Sequence, residues 1–167
     1  MRERLYTYYL KRKLPFADII SCDISKAALN IAQKNARKHK TEITFLNLDF
    51  LDKSTWSQIP EVDIIVSNPP YIPQQDKVSM HHNVLQYEPH EALFVADNEP
   101  LIFYSAIANC AKTILKPEGK LYVEVYEGLG NDTKQLFEDC GYTSILKMDM
   151  QGKNRMLKAC PVEYISK

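Results

Sequence analysis

The chain has 167 residues, 45% of them apolar, which suits one domain with a substantial core. Its 21 basic and 21 acidic side chains cancel, so no global field draws it toward nucleic acid or a membrane surface. The four cysteines form no C-x-x-C pair, no apolar stretch approaches the roughly 18 residues of a membrane span, and the basic start has no apolar signal core, so a cytoplasmic chain with reduced thiols is expected.

Asp18-Ile19-Ile20-Ser21-Cys22-Asp23 is a short apolar run bounded by polar residues and predicts a buried strand. Ser25 stands as the N-cap of a helix over 26–37, with Ala28, Ile31, Ala32, Asn35 and Ala36 on one face. A second strand is predicted over 43–48, ending at Asp49-Phe50, and a third over 62–67 after a short connection through Trp56, Ile59 and Pro60. Residues 71–97 lack sustained periodicity and predict a long loop of the kind that usually carries function. Asn98-Glu99-Pro100 then predicts a helix start, with Phe103, Ile107, Cys110, Ala111 and Ile114 as the apolar face. Lys116-Pro117-Glu118-Gly119 reads as a turn, 121–125 as a strand, and 133–139 as a helix stopped by Gly141. Residues 143–150 and 155–161 flank Gln151-Gly152-Lys153-Asn154 as an antiparallel hairpin.

Alternating strands and helices predict an α/β fold, a mostly parallel sheet closed at one edge by that hairpin. Ligands of such sheets bind at the carboxyl ends of the strands, where Asp23, Asp49 and Asn68 all fall. Two basic clusters, Arg2 to Lys13 and Lys34 to Lys40, read as solvated helix faces.

The third strand ends in Asn68-Pro69-Pro70-Tyr71. Two prolines stiffen the backbone and carry no N–H, so this segment cannot continue a ladder. The Asn68 side-chain oxygen and the Pro69 carbonyl are two acceptors, and Tyr71 offers a flat ring. Together they suit a planar NH₂ group, with an acceptor for each hydrogen and a ring to stack on it.

These elements resemble class I S-adenosylmethionine-dependent methyltransferases with a Rossmann-like sheet. The surrounding sequence is most similar to the HemK/PrmC family, N5-glutamine methyltransferases acting on the Gly-Gly-Gln loop of peptide chain release factors. The matching residues are Val66 to Pro73, Tyr87-Glu88-Pro89 with Ala92-Leu93, Leu115 to Gly119, Glu124, Gly141-Tyr142, and Asp149, Gln151, Gly152 and Arg155. The resemblance runs from about Pro15 to about Ala159 and implies S-adenosyl-L-methionine as cofactor and a release factor as protein partner, with neither nucleic acid nor membrane. It implies Asn68, Pro69 and Tyr71 as catalytic residues and Asn68 to Tyr71 as the substrate clamp. Cofactor contacts would come from Asp23 on the ribose, Asp49 and Phe50 at the adenine, and Asn68. Asp23 could equally cap the following helix, and Asp49-Phe50 could be a turn acid beside a core ring. The tetrapeptide also occurs in adenine-N6 methyltransferases of DNA or RNA, which is the alternative enzyme reading.

His81, His82 and His90 match no zinc signature and are expected in a loop over the substrate, which Glu88 could close through backbone, substrate or a plain salt bridge. The family's Gly-x-Gly-x-Gly turn lets the backbone approach the cofactor, but all five glycines here lie at or after Gly119. The first strand, that turn and the N-terminal helical domain are therefore expected to be missing. On this reading 1–14 is an atypical segment carrying the remnant of the first helix, and 15–167 is a partial catalytic domain. Weak cofactor affinity, or an inactive truncated remnant, is the corresponding expectation. Tyr126 stands where family members often carry asparagine.

Overall fold

Residues 3–79 and 92–162 are described by a computed structural model, and the chain divides into two units, Met1–Ile59 and Pro60–Lys167. In the first unit, helix α1 (Glu3–Lys13) leads to strand β1 (Ile20–Asp23), helix α2 (Lys26–Lys38) and strand β2 (Thr44–Asn47). Strands β1 and β2 are parallel, with Ile20 opposite Thr44 and Asp23 opposite Asn47, and α2 supplies the crossover that a parallel pair needs. Ser25 caps α2 as predicted, its Oγ accepting the Ala28 N–H at 3.2 Å.

Two expectations are corrected in this unit. The buried stripe of α2 is Ala28, Leu29, Ala32 and Ala36, while Ile31 and Asn35 are exposed. Both stripes have helical spacing and share Ala28, Ala32 and Ala36, and they differ in which side of those alanines is packed, that of Leu29 or that of Ile31 and Asn35. Strand β1 is half-buried, not buried. Tyr8 of α1 stacks on His39 just past α2, centroids 4.7 Å apart. A 3₁₀ turn over Lys53–Gln58 closes the unit, started by Asp52, whose carboxylate accepts the Ser54 N–H at 2.9 Å.

In the second unit, β3 (Val62–Ser67), the short β4 (Ile72–Pro73) and β5 (Phe94–Val95), and helix α3 (Ile102–Ile114) come first. Strand β6 (Leu115–Glu124), helix α4 (Gly130–Asp139), β7 (Tyr142–Met148) and β8 (Asn154–Pro161) follow. One sheet has the order β3-β6-β8-β7, parallel between β3 and β6 and antiparallel in the other two pairs. The predicted closing hairpin is β7–β8 at one side of it. The core is Tyr104, Ile107, Ala108 and Cys110 of α3, Leu121 and Val123 of β6, Phe137 of α4, and Leu157 and Ala159 of β8. Tyr142 reaches across it to donate to the Ala108 carbonyl at 2.9 Å. Gly141 has φ +92°, the left-handed conformation expected where α4 ends.

Three further expectations change. Helix α3 begins at Ile102 with no side-chain cap, because Asn98-Glu99-Pro100 form a lead-in turn in which Glu99 accepts the Ile102 N–H at 3.2 Å. The predicted turn at 116–119 lies inside β6, where the register with β3 slips between Val62 opposite Leu115 and Ile64 opposite Lys120. A bulge absorbs Pro117, which has no N–H to give a ladder. Within 71–97 the described residues form β4, β5 and a 3₁₀ turn over Gln74–Ser79, so that span is not wholly irregular.

Candidate functional site

Asn68 follows the last residue of β3, and the proline pair after it carries the chain out of the sheet. Pro69 is buried, and Asn68, Pro70 and Tyr71 are half-buried. The side-chain oxygen of Asn68 is itself buried and has no hydrogen-bond partner among the described residues. A buried acceptor left unpaired costs about 1–3 kcal/mol, so such an atom at a strand's carboxyl end points to a donor from beyond the described residues. Thr133 Oγ1 is also buried without a partner among the described residues, but it lies within helix α4.

Two motif blocks that lie far apart in sequence meet here. The Ile72 N–H donates to the Leu93 carbonyl at 3.0 Å, and β4 pairs in parallel with β5, so the segments that directly follow Asn68-Pro69-Pro70-Tyr71 and Ala92-Leu93 are joined in one small ladder. The Asp97 carboxylate accepts the Gln75 N–H at 3.0 Å on the same side. Tyr87, Glu88, Pro89, His81, His82 and His90 lie outside the described residues.

Tyr71 donates its phenol hydrogen to Glu124 Oε1 at 2.8 Å, at the end of β6. Its ring stacks on Tyr126, centroids 6.0 Å apart and planes 25° apart. Tyr126 in turn donates to Asp76 Oδ2 at 2.7 Å. That bond, then burial and the nearby carboxylate charge push the Tyr126 phenol up to about 12. Behind both rings, buried Tyr104 donates to the Glu124 carbonyl at 3.2 Å and accepts the Tyr126 N–H at 3.3 Å. Burial raises the Tyr104 phenol well above its ordinary value, so it stays protonated.

The hairpin residues of the motif buttress this wall. Asp149 accepts the N–H groups of Gln151 at 2.8 Å and Lys153 at 3.1 Å, and its other oxygen meets Arg155 Nε at 3.3 Å. Lys153 N–H first, then Gln151 and Arg155, hold the Asp149 carboxyl below the usual range. Arg155 accepts the Val125 N–H at 2.9 Å, and Lys153 pairs with Glu127 at 2.8 Å. Asp149 and Arg155 therefore act on the segment that holds Glu124 and Tyr126.

In the first unit, Asp23 ends β1 and its Oδ1 accepts the Ser25 N–H at 2.7 Å. This bond orients the capping residue Ser25 and does not itself cap α2, and the carboxylate also lies at the strand's carboxyl end. Asn47, at the end of β2, donates to the carbonyls of Asp23 at 3.0 Å and Ile24 at 2.8 Å, fixing that end. Asp49 is exposed two residues after β2, its Oδ1 accepting the Leu51 N–H at 3.0 Å. Phe50 is half-buried, its ring 6.1 Å from Trp56 and its carbonyl accepting the Trp56 indole N–H at 2.9 Å. Burial raises the Cys22 thiol to about 11, so it is not a nucleophile at neutral pH. Among the described residues no group of three or more His, Cys, Asp or Glu is placed to hold a metal ion, and no helix is long and apolar enough to cross a membrane.

The sequence singled out the clamp and the two strand-end acids but missed Asp76, Tyr104 and Asn47. Asn47 had a usable signal, an amide at the end of the strand beside Asp23. Asp76 and Tyr104 had none, because their partners lie 50 and 20 positions away.

The α/β fold, with carboxylates at strand ends and a proline-stiffened acceptor segment, is of the Rossmann-like kind found in class I methyltransferases. The fold is similar to that of a methyltransferase from Pyrococcus furiosus, with TM-score 0.59 and 14% identity, covering 93% of this chain and 68% of that one. It is also similar to the ribosomal protein L11 methylase of Lactobacillus delbrueckii subsp. bulgaricus, with TM-score 0.56 and 16% identity, covering 86% and 57%. The family model of the methyltransferase small domain matches residues 6–93, just over half of the chain, and the chain belongs to that family. It is 43% identical to the release factor glutamine methyltransferase of Flavobacterium psychrophilum, over 89% of this chain and 52% of the relative. With the protein of the same name from Bacteroides thetaiotaomicron the identity is 40%, over 90% and 54%. The chain thus spans about half the length of these curated relatives.

Proposed function

We propose that this protein methylates the side-chain amide nitrogen of the glutamine in the Gly-Gly-Gln loop of peptide chain release factors, using S-adenosyl-L-methionine. The observation that carries the reading is Asn68 Oδ1, a buried acceptor without a donor among the described residues. The names of the relatives from Flavobacterium psychrophilum and Bacteroides thetaiotaomicron support the choice of a glutamine amide over an adenine amine. Residues 15–167 are read as belonging to the catalytic domain, with the site of action in the cytoplasm.

An amide nitrogen is a poor nucleophile because its lone pair is delocalised into the carbonyl. Asn68 Oδ1 and the Pro69 carbonyl, by accepting its two hydrogens, hold the NH₂ group in one orientation and turn the lone pair outward. No base is needed before attack, since the proton can leave afterwards. Tyr71 packs on the amide plane and excludes water. Orientation of this kind is worth up to about 7–11 kcal/mol in well-aligned systems, and preorganised dipoles add to it where charge develops.

The cofactor fits the chemistry of the residues present. The groups it offers on its ribose and adenine are hydrogen-bond donors and a flat ring, and Asp23, Asp49 and Phe50 supply acceptors and an aromatic face. When bound, S-adenosyl-L-methionine supplies an electrophilic sulfonium methyl. Because no glycine precedes Gly119, the 167 residues hold the cofactor weakly, and assays require it at millimolar concentration.

The deciding experiment is transfer of labelled methyl to a release factor, with Asn68→Ala as control. Transfer that depends on Asn68 is expected. Transfer only to DNA or RNA overturns the reading, and no binding of S-adenosylhomocysteine at millimolar concentration overturns catalysis by this chain.

A further inference from the structure

We infer that Tyr126 is a positioning residue for the acceptor site, holding Tyr71 in place through a crossed pair of tyrosine–carboxylate bonds. The inference rests on the amide-methylating reading and deepens it. Two segments face each other here, 71–76 after the clamp and 124–126 at the end of β6. Each gives a tyrosine and takes one: Tyr71 bonds Glu124 at 2.8 Å, and Tyr126 bonds Asp76 at 2.7 Å. The two bonds run in opposite directions, and the rings between them stack with centroids 6.0 Å apart. A slide of one segment along the other would strain both bonds, so the pair fixes register as well as distance.

The two sides of this clasp are not equally anchored. The Tyr126 N–H is held by Tyr104 at 3.3 Å, and the Val125 N–H by Arg155 at 2.9 Å, both from regular elements of the core. The Asn68–Asp76 side has only short structure of its own, the two-residue strand β4 and the start of the 3₁₀ turn over Gln74–Ser79. Tyr126 is therefore the fixed member, and Tyr71 with its clamp is the member being held. An asparagine at 126 has neither a ring to stack nor the reach of a phenol, so this arrangement belongs to the tyrosine.

The test measures kcat, KM for release factor and S-adenosylhomocysteine affinity in Tyr126→Ala, Tyr126→Phe and Asp76→Asn, with cofactor at millimolar concentration. Tyr126→Ala, which loses both ring and bond, is expected to lower kcat at least about tenfold, since small misplacements near the reacting group are costly. Cofactor affinity should stay unchanged. Tyr126→Phe keeps the stack but loses the bond, so it should lower kcat by a smaller factor than the alanine, matching Asp76→Asn. Unchanged kcat in Tyr126→Ala overturns the inference and leaves the reaction standing. So does a loss of cofactor affinity equal to the loss of kcat that phenylalanine does not restore. If the alanine variant does not fold, a drop in kcat at constant cofactor affinity in both other variants supports the inference, and no drop overturns it. If the unaltered protein transfers no methyl to release factor, both the reaction and this inference fall.

Discussion

The phenol of Tyr71 and the carboxylate of Glu124 are joined by a 2.8 Å hydrogen bond across 53 positions of sequence. It ties an irregular proline segment, which has no ladder of its own, to the end of a core strand. A neutral donor on a carboxylate is worth about 1.5–3 kcal/mol when both groups are partly buried. A double-mutant cycle with Tyr71→Phe and Glu124→Gln, read by urea unfolding, should give a coupling of about that size. A coupling near zero would mean that the bond orders nothing.

Asn68 and Thr133 present the same physical observation with opposite expected outcomes. Both carry a buried oxygen without a partner among the described residues. Thr133→Val replaces the hydroxyl by a methyl of similar shape and should raise stability by about 1 kcal/mol with methyl transfer unchanged. Asn68→Ala removes an acceptor that the substrate is proposed to use, and should lower kcat by about 10²–10³, the usual scale for losing one preorganised polar group. Stability should not fall with it. A matching fall in stability and activity for Asn68→Ala would make it a structural residue.

Local features of the sequence carried most of the architecture. Ser25 before a periodic helix, Gly141 after one, and the break around Gln151-Gly152-Lys153 between two strands each act within a few residues, and each appears in the structure, the break ending one residue early because Asn154 already pairs with Met148. The errors fell where tertiary contacts decide. Leu29 and Ile31 are equally apolar, and only packing against the strands buries the first and leaves the second 49% exposed. Pro117 and Gly119 look like a turn in isolation, yet the partner strand β3 holds them in a bulge. For the site, the clamp was legible because two adjacent prolines after a strand admit few conformations. Tyr126 was seen only as an unexpected residue, because its meaning depends on Asp76, 50 positions away.

The Tyr126–Asp76 bond has a pH signature. The phenol's ordinary value near 10 is raised to about 12, so the folded state holds this proton more tightly than the unfolded chain does. The stabilisation is full below pH 10 and is lost as pH rises from 10 to about 12. Ultraviolet titration of the chain should show Tyr126 among the late phenols, with Tyr142, which burial raises to about 12. Tyr126→Phe should remove one late phenol and flatten the alkaline decline in stability. A late amplitude unchanged by Tyr126→Phe would place the Tyr126 hydroxyl in solvent.

Gly119 sits where the β6 bulge brings the chain back against itself. A Cβ there would lie 2.6 Å from both Cγ and Cδ1 of Leu115 and 2.8 Å from the Lys116 carbonyl oxygen. Leu115 could turn aside, but the carbonyl belongs to the backbone and moves only with the bulge. Gly119→Ala should therefore cost about 1–3 kcal/mol, the range for overpacking a filled site. The strain would also fall on the β3–β6 pairing, which resumes at Ile64 opposite Lys120 and runs to Ser67, just before Asn68. Methyl transfer should then drop by more than the stability loss alone accounts for when measured well below the unfolding midpoint. Leu115→Ala in the same chain opens space for the new Cβ on the side-chain side but leaves the carbonyl contact. It should restore part of the loss, and full restoration would show that the backbone contact had no weight.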